Sequence, residues 1–79
     1  MKSKISPKVF QDRLNQAIGF QNGGDLVQAR AIFLELLKAD PKSSAVLYSL
    51  GAIESTAKNF EIAHGYIKKL LSLSPKFAL

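Results

Sequence analysis

The chain has 79 residues, with no cysteine or tryptophan, one methionine, one histidine and three prolines. Without cysteine there is no disulfide to staple a small fold, no thiolate metal site and no thiol nucleophile, a pattern that suits a reducing compartment. A single histidine falls short of the three or four protein ligands that a stable metal site takes. No apolar stretch exceeds a few residues, against the roughly 20 needed to span a bilayer, so no membrane partner is expected. The basic start, Met1-Lys2-Ser3-Lys4-Ile5-Ser6-Pro7, is not followed by an apolar region and a small-residue cleavage site. It therefore does not read as a secretory signal, and the cytoplasm is the expected location. Serines are plentiful, but Ser6, Ser43 and Ser44 stand where helix caps are wanted and not in a nucleophile motif. Asn22-Gly23-Gly24 has neither the lysine nor the glycine spacing of a phosphate-cradling loop. These absences together point away from an enzyme and away from any cofactor.

Charge narrows the field further. The formal net charge is +5, which raises an acidic partner as a possibility. The lysines are scattered, however, and Lys68-Lys69 is the one adjacent lysine pair. Nucleic-acid binding wants a basic stripe with interleaved aromatics. Phe10, Phe20, Phe33 and Phe60 instead fall at helix-packing positions, and Phe77 at the place of a contact between repeats, so no nucleic acid is expected. Glu61 and His64 are spaced to share a helix face, but as a metal pair they are incomplete, and a structural or exposed histidine is the expectation.

What the sequence does contain is a copy of itself. A shift of 34 residues lays Ala29 on Ala63, Phe33 on Ile67, Leu36 and Leu37 on Leu70 and Leu71, and Pro41-Lys42 on Pro75-Lys76. Ala17 meets Gly51, and Asp25 meets Asn59. A period of this size marks supersecondary units that bury their apolar faces against neighbours.

Each unit reads as two helices. Ser6-Pro7 is an N-cap with proline at the first helical position. Val9, Phe10, Leu14, Ala17, Ile18 and Phe20 then recur at helical spacing until the glycines after Asn22 allow a reversal. Asp25 caps a second helix, with Gln28 placed to complete a capping box. That helix carries Leu26, Ala29, Ile32, Phe33, Leu36 and Leu37 and stops at Asp40-Pro41. A third follows Ser43 or Ser44 with Val46, Leu47, Leu50, Gly51 and Ile53. Ala57-Lys58-Asn59 forms the next turn, with Asn59 as cap. The fourth helix runs from Phe60 to about Leu73 through Ala63, Ile67, Leu70 and Leu71, and Ser74-Pro75 closes it. Ala17, Gly51, Ala29 and Ala63 remove bulk where paired helices must approach to about 8–10 Å.

This arrangement resembles the tetratricopeptide repeat, a helix–turn–helix unit with small residues at its eighth and twentieth positions, a large residue at the twenty-fourth and proline at the thirty-second. Counted from Phe10, those places hold Ala17, Ala29, Phe33 and Pro41; counted from Ser44, they hold Gly51, Ala63, Ile67 and Pro75. The resemblance implies an all-α fold of two stacked antiparallel helical hairpins, forming a segment of a right-handed α–α superhelix. It implies repeats at about 10–43 and 44–77 within one domain of residues 7–79, preceded by a flexible basic arm, 1–6. It also implies a non-catalytic protein-interaction scaffold, with a peptide or protein segment held in a concave groove by Gln11, Leu14, Asn15, Ile18 and Asn22 together with Tyr48, Ser49, Ala52 and Ser55. Leu14 and Ile18 stand where carboxylate-clamping relatives carry lysine and asparagine, which argues against that subtype.

Three departures from the pattern matter. Arg13 and Gln16 replace large apolar residues, so the first helix is expected to be more solvated. Glu54 replaces an aromatic; it is expected to tilt to solvent or pair with a lysine, or else to line a polar ligand groove. Beyond Pro75 the sequence looks like the lead-in to a further repeat, and Tyr66, Ile67, Leu70, Leu71 and Leu73 stand on a helix with nothing after it. The alternative expectation is a longer array, such as the substrate-presenting part of an enzyme like a bacterial glycosyltransferase, or a homo-oligomer formed through uncapped terminal helices.

Overall fold

A computed structural model describes residues 5–73, all of its regular structure helical. Four helices follow one another: α1 (Pro7–Asn22), α2 (Leu26–Ala39), α3 (Ser44–Thr56) and α4 (Phe60–Leu73). They divide into two units, Met1–Pro41 and Lys42–Leu79. In each, two helices pack on one another across a short turn, α1 on α2 and α3 on α4. The expected arm residues 1–4, the stop at Ser74-Pro75 and the contact assigned to Phe77 lie outside the described residues.

Helix starts follow the capping chemistry. The Ser6 hydroxyl accepts from the Val9 amide at 3.2 Å and the Ser43 hydroxyl from the Val46 amide at 3.3 Å, which settles the choice between Ser43 and Ser44. The Asp25 carboxylate accepts from the Gln28 amide at 3.2 Å. The return half of the expected capping box is replaced, because the Asp25 amide donates to the Phe20 carbonyl at 2.9 Å. That bond belongs to the end of α1. The two needs, closing one helix and opening the next, meet at a single residue, and the backbone of the first takes the donor.

The hairpin turns repeat each other bond for bond. In the first, the amides of Gly24 and Asp25 donate to the carbonyls of Gln21 and Phe20; in the second, those of Lys58 and Asn59 donate to Ser55 and Glu54. This is the six-to-one and inner hydrogen-bond pair that closes a helix through a left-handed residue. Gly24 takes that conformation at φ 89° and Lys58 at φ 67°. Of the two glycines expected to permit the reversal, Gly24 alone has positive φ, while Gly23, like its counterpart Ala57, keeps a negative φ.

Burial is unequal between the units. In the first, α2 carries the core with Ala29, Ile32, Phe33 and Leu36, and α1 adds only Leu14 and Ala17. Val9 and Ile18, expected on the apolar face of α1, are exposed. They lie at the edges of a stripe whose centre is Leu14 and Ala17. In the second unit α3 buries Val46, Leu47, Leu50, Gly51, Ile53 and Glu54, whereas α4 buries Ala63 and Leu70. Arg13 and Gln16 lie outside the buried set as expected, with the Arg13 guanidinium donating to Gln16 at 3.0 Å and paired with Glu35 of α2.

Candidate binding surface

The small residues of the repeat determine how closely each hairpin closes. In the second unit a Cβ at Gly51 would stand 2.7 Å from Cδ1 of Ile67 and 3.1 Å from its Cγ1. Glycine therefore lets Ile67 lie across α3, and the isoleucine occupies the space that a side chain at position 51 would need. The first unit solves the same problem with Ala17 and Phe33, both fully buried.

On the solvent side of this contact α3 and α4 leave two adjoining hollows. One, of about 490 Å³, is walled by Ser44, Ala45, Tyr48, Ile67, Leu70 and Leu71. The other, of about 350 Å³, is walled by Tyr48, Gly51, Ala52, Ser55, Ala63, His64 and Ile67. Tyr48 and Ile67 are common to both, so the hollows form one groove along the hairpin. Its wall is carbon almost throughout, with hydroxyls at its two ends and one imidazole. Tyr48 is 64% exposed and Leu71 36% exposed. Its phenol makes Tyr48 the one large amphipathic side chain on the groove, the type suited to recognition because its ring is apolar and its tip is wet.

The residues read from the sequence as a binding surface fall into two sets. Tyr48, Ala52 and Ser55 come together on this groove, and Ser49, half-buried, lies next to Tyr48 on the same helix. On α1, Gln11, Asn15, Ile18 and Asn22 are exposed while Leu14 is buried at 8%. The Gln11 amide donates to the Asn15 side-chain oxygen at 3.0 Å, one turn away. Leu14 has its side chain in the core of the first unit, which leaves it little area for a ligand. Ile67 and Leu71, read from the sequence both as packing residues and as part of an apolar set on the last helix with nothing after it, line this groove, although they were not placed in the expected binding set.

Glu54 does not tilt to solvent, and it is not among the residues that line the groove: it is 5% exposed, and its Oε1 accepts from the Asn59 side-chain amide at 2.9 Å. The same two residues share the backbone bond that closes α3. A buried carboxyl group is tolerated when donors meet it, so the turn residue Asn59 helps to satisfy a polar side chain inside the second hairpin.

His64 and Glu61 are exposed on α4. Among the described residues no group of three or more His, Cys, Asp or Glu side chains is placed to hold a metal ion, and no helix is long and apolar enough to cross a membrane. No protein-family model, no characterised protein and no solved structure matches the chain.

Proposed function

We propose that this chain is a tetratricopeptide-like protein-interaction module, non-catalytic, that holds a peptide or protein segment on its exposed helical surface, with the groove of the second hairpin as the main contact. The observation that carries this reading is the open apolar wall of Tyr48, Ile67 and Leu71. Tyr48 is 64% and Leu71 36% exposed while Ile67 is half-buried, so leaving them uncovered forfeits a part of the roughly 1.5–3 kcal/mol that full burial of each would supply. A core of this size supplies only about 3–5 kcal/mol in net stability. A surface that costly is retained where a partner covers it.

The test is selection of peptides from a random display library on the immobilised chain, followed by affinity measurement on a Tyr48→Ala, Leu71→Ser variant whose melting curve matches the parent. Selected peptides are expected to lose at least tenfold in affinity. Undiminished binding to the variant rejects the groove, and replacing Asn15 then asks whether the amide face of α1 is the site instead.

A further inference from the structure

The second-hairpin groove specifies more than a contact area, and the occupant inferred for it rests on the proposed interaction role. Three features bear on that occupant. The repeat supplies the first: Leu14 and Phe33, the counterparts of Tyr48 and Ile67 in the first unit, are 8% and 0% exposed, whereas Tyr48 is 64% exposed and Ile67 half-buried, so these two positions are more open in the second copy. The wall supplies the second. Between Ser44 at one end and Ser55 at the other, Ala45, Tyr48, Ala52, Ile67, Leu70 and Leu71 present almost only carbon to the groove. An extended peptide laid there would bury most of its amides and carbonyls against carbon, with Ser44, Ser55, His64 and the Tyr48 hydroxyl as the few polar groups, whereas a helix satisfies its own backbone. The third is charge. Lys68 and Lys69 are exposed in the second half of α4, where no aspartate or glutamate follows Glu61 of the first turn up to Leu73. Lys68 follows Ile67 and precedes Leu71 by nearly one turn, which places it along the outer edge of the groove.

We infer that the groove takes an amphipathic α-helix of about three turns whose apolar stripe packs against Tyr48, Ile67 and Leu71 and whose flank beside Lys68 is acidic. The length follows from α3: from Ser44 to Ser55 the helix rises roughly 17 Å at about 1.5 Å per residue. The stripe needs apolar residues at i, i+3, i+4 and i+7 to stay in the groove over that distance. A second copy of this chain would instead bring the same basic edge and the same net charge of +5 to the interface, and like charges across an interface oppose the pairing.

The experiment uses the full chain, labelled for NMR, and three synthetic peptides, each about four helical turns long. The first carries leucine at the stripe positions and glutamate on the flanks. The second replaces glutamate with lysine, and the third is the first with a central proline. The acidic helix is expected to shift the resonances of Tyr48, Ile67 and Leu71 and to bind at least tenfold more tightly than the other two at low salt. Lys68→Glu is expected to reverse the preference between the first two peptides without changing the melting curve. Equal binding of the proline peptide, or tighter binding of the lysine peptide to the parent, overturns the acidic helix and leaves the groove as an interaction site. If none of the peptides moves the groove resonances, both readings fall. Concentration-dependent mass with the same resonances shifted assigns the groove to a second copy and overturns the acidic helix.

Discussion

The two hairpins share a backbone and differ in what they do with it. Their turns use the same hydrogen bonds and the same left-handed residue, one on glycine and one on lysine. Their first and last helices diverge. Both expose apolar side chains, Val9 and Ile18 on α1 and Phe60, Ile62 and Leu71 on α4, but on α1 they stand among Gln11, Asp12, Asn15, Gln16 and Asn22. Scattered apolar side chains are ordinary surface, whereas the contiguous wall of the second hairpin suits a partner. The repeat thus preserves the geometry that main-chain bonding and small contact residues impose, and leaves each exposed face to acquire its own chemistry.

The largest difference expected between the units lies at the twenty-fourth repeat position. Phe33→Ala removes a fully buried ring and should cost about 3–5 kcal/mol, close to the roughly 3–5 kcal/mol a core of this size supplies. Far-UV circular dichroism should then report a largely unfolded chain at room temperature. Ile67→Ala, at the half-buried counterpart, should cost roughly 1–2 kcal/mol in urea unfolding, because the side chain is smaller than the ring and part of it already faces water. Equal losses would remove the distinction between a closed and an open face.

Gly51 tests the same distinction on the next scale. Gly51→Val drives two methyl groups toward Ile67, whose Cδ1 already stands 2.7 Å from the ideal Cβ position, and is expected to cost about 2 kcal/mol by overpacking. Combining it with Ile67→Ala should recover a good part of that loss in a double-mutant cycle. Additive losses would mean that the small residue serves something other than the approach of Ile67.

The turns should respond least. Gly24→Ala forces an alanine into φ 89° and should cost about 1 kcal/mol. Lys58→Gly releases a side chain from φ 67° and should gain a few tenths to about 1 kcal/mol, the relief being partly offset by the greater freedom of glycine in the unfolded chain. Thermal unfolding of both variants measures the pair. The same sign in both would show that the turns are not energetically equivalent despite their shared hydrogen bonds.

Much of the fold was legible from local chemistry. The Ser6, Asp25 and Ser43 caps, the break at Asp40-Pro41 and the turn Ala57-Lys58-Asn59 each depend on a few neighbouring residues, and each lies where its residue types place it. The candidate surface was half legible. Tyr48, Ala52 and Ser55 could be placed on one helix face by spacing alone. Leu14 follows the same spacing and is buried, while Ile67 and Leu71, legible as packing residues and as an uncovered apolar set, line the open groove. Helical period states which residues share a face, but not whether another element covers that face.

Glu54 shows the same boundary in a single side chain. Its charge and its position on α3 were plain from the chain, but its burial and its bond to Asn59 depend on how a turn folds back over a helix end. The order of residues was enough to dictate four helices, their ends, and a repeat whose small residues permit close pairing, because caps, turns and periodicity act over a few residues. It took the folded hairpins to establish that Gly51 admits Ile67, that Glu54 is held inside, and that Tyr48 and Leu71 stand open. Each of these depends on which atoms meet across a hairpin, and such meetings are settled by packing between elements and not by the preferences of any one of them.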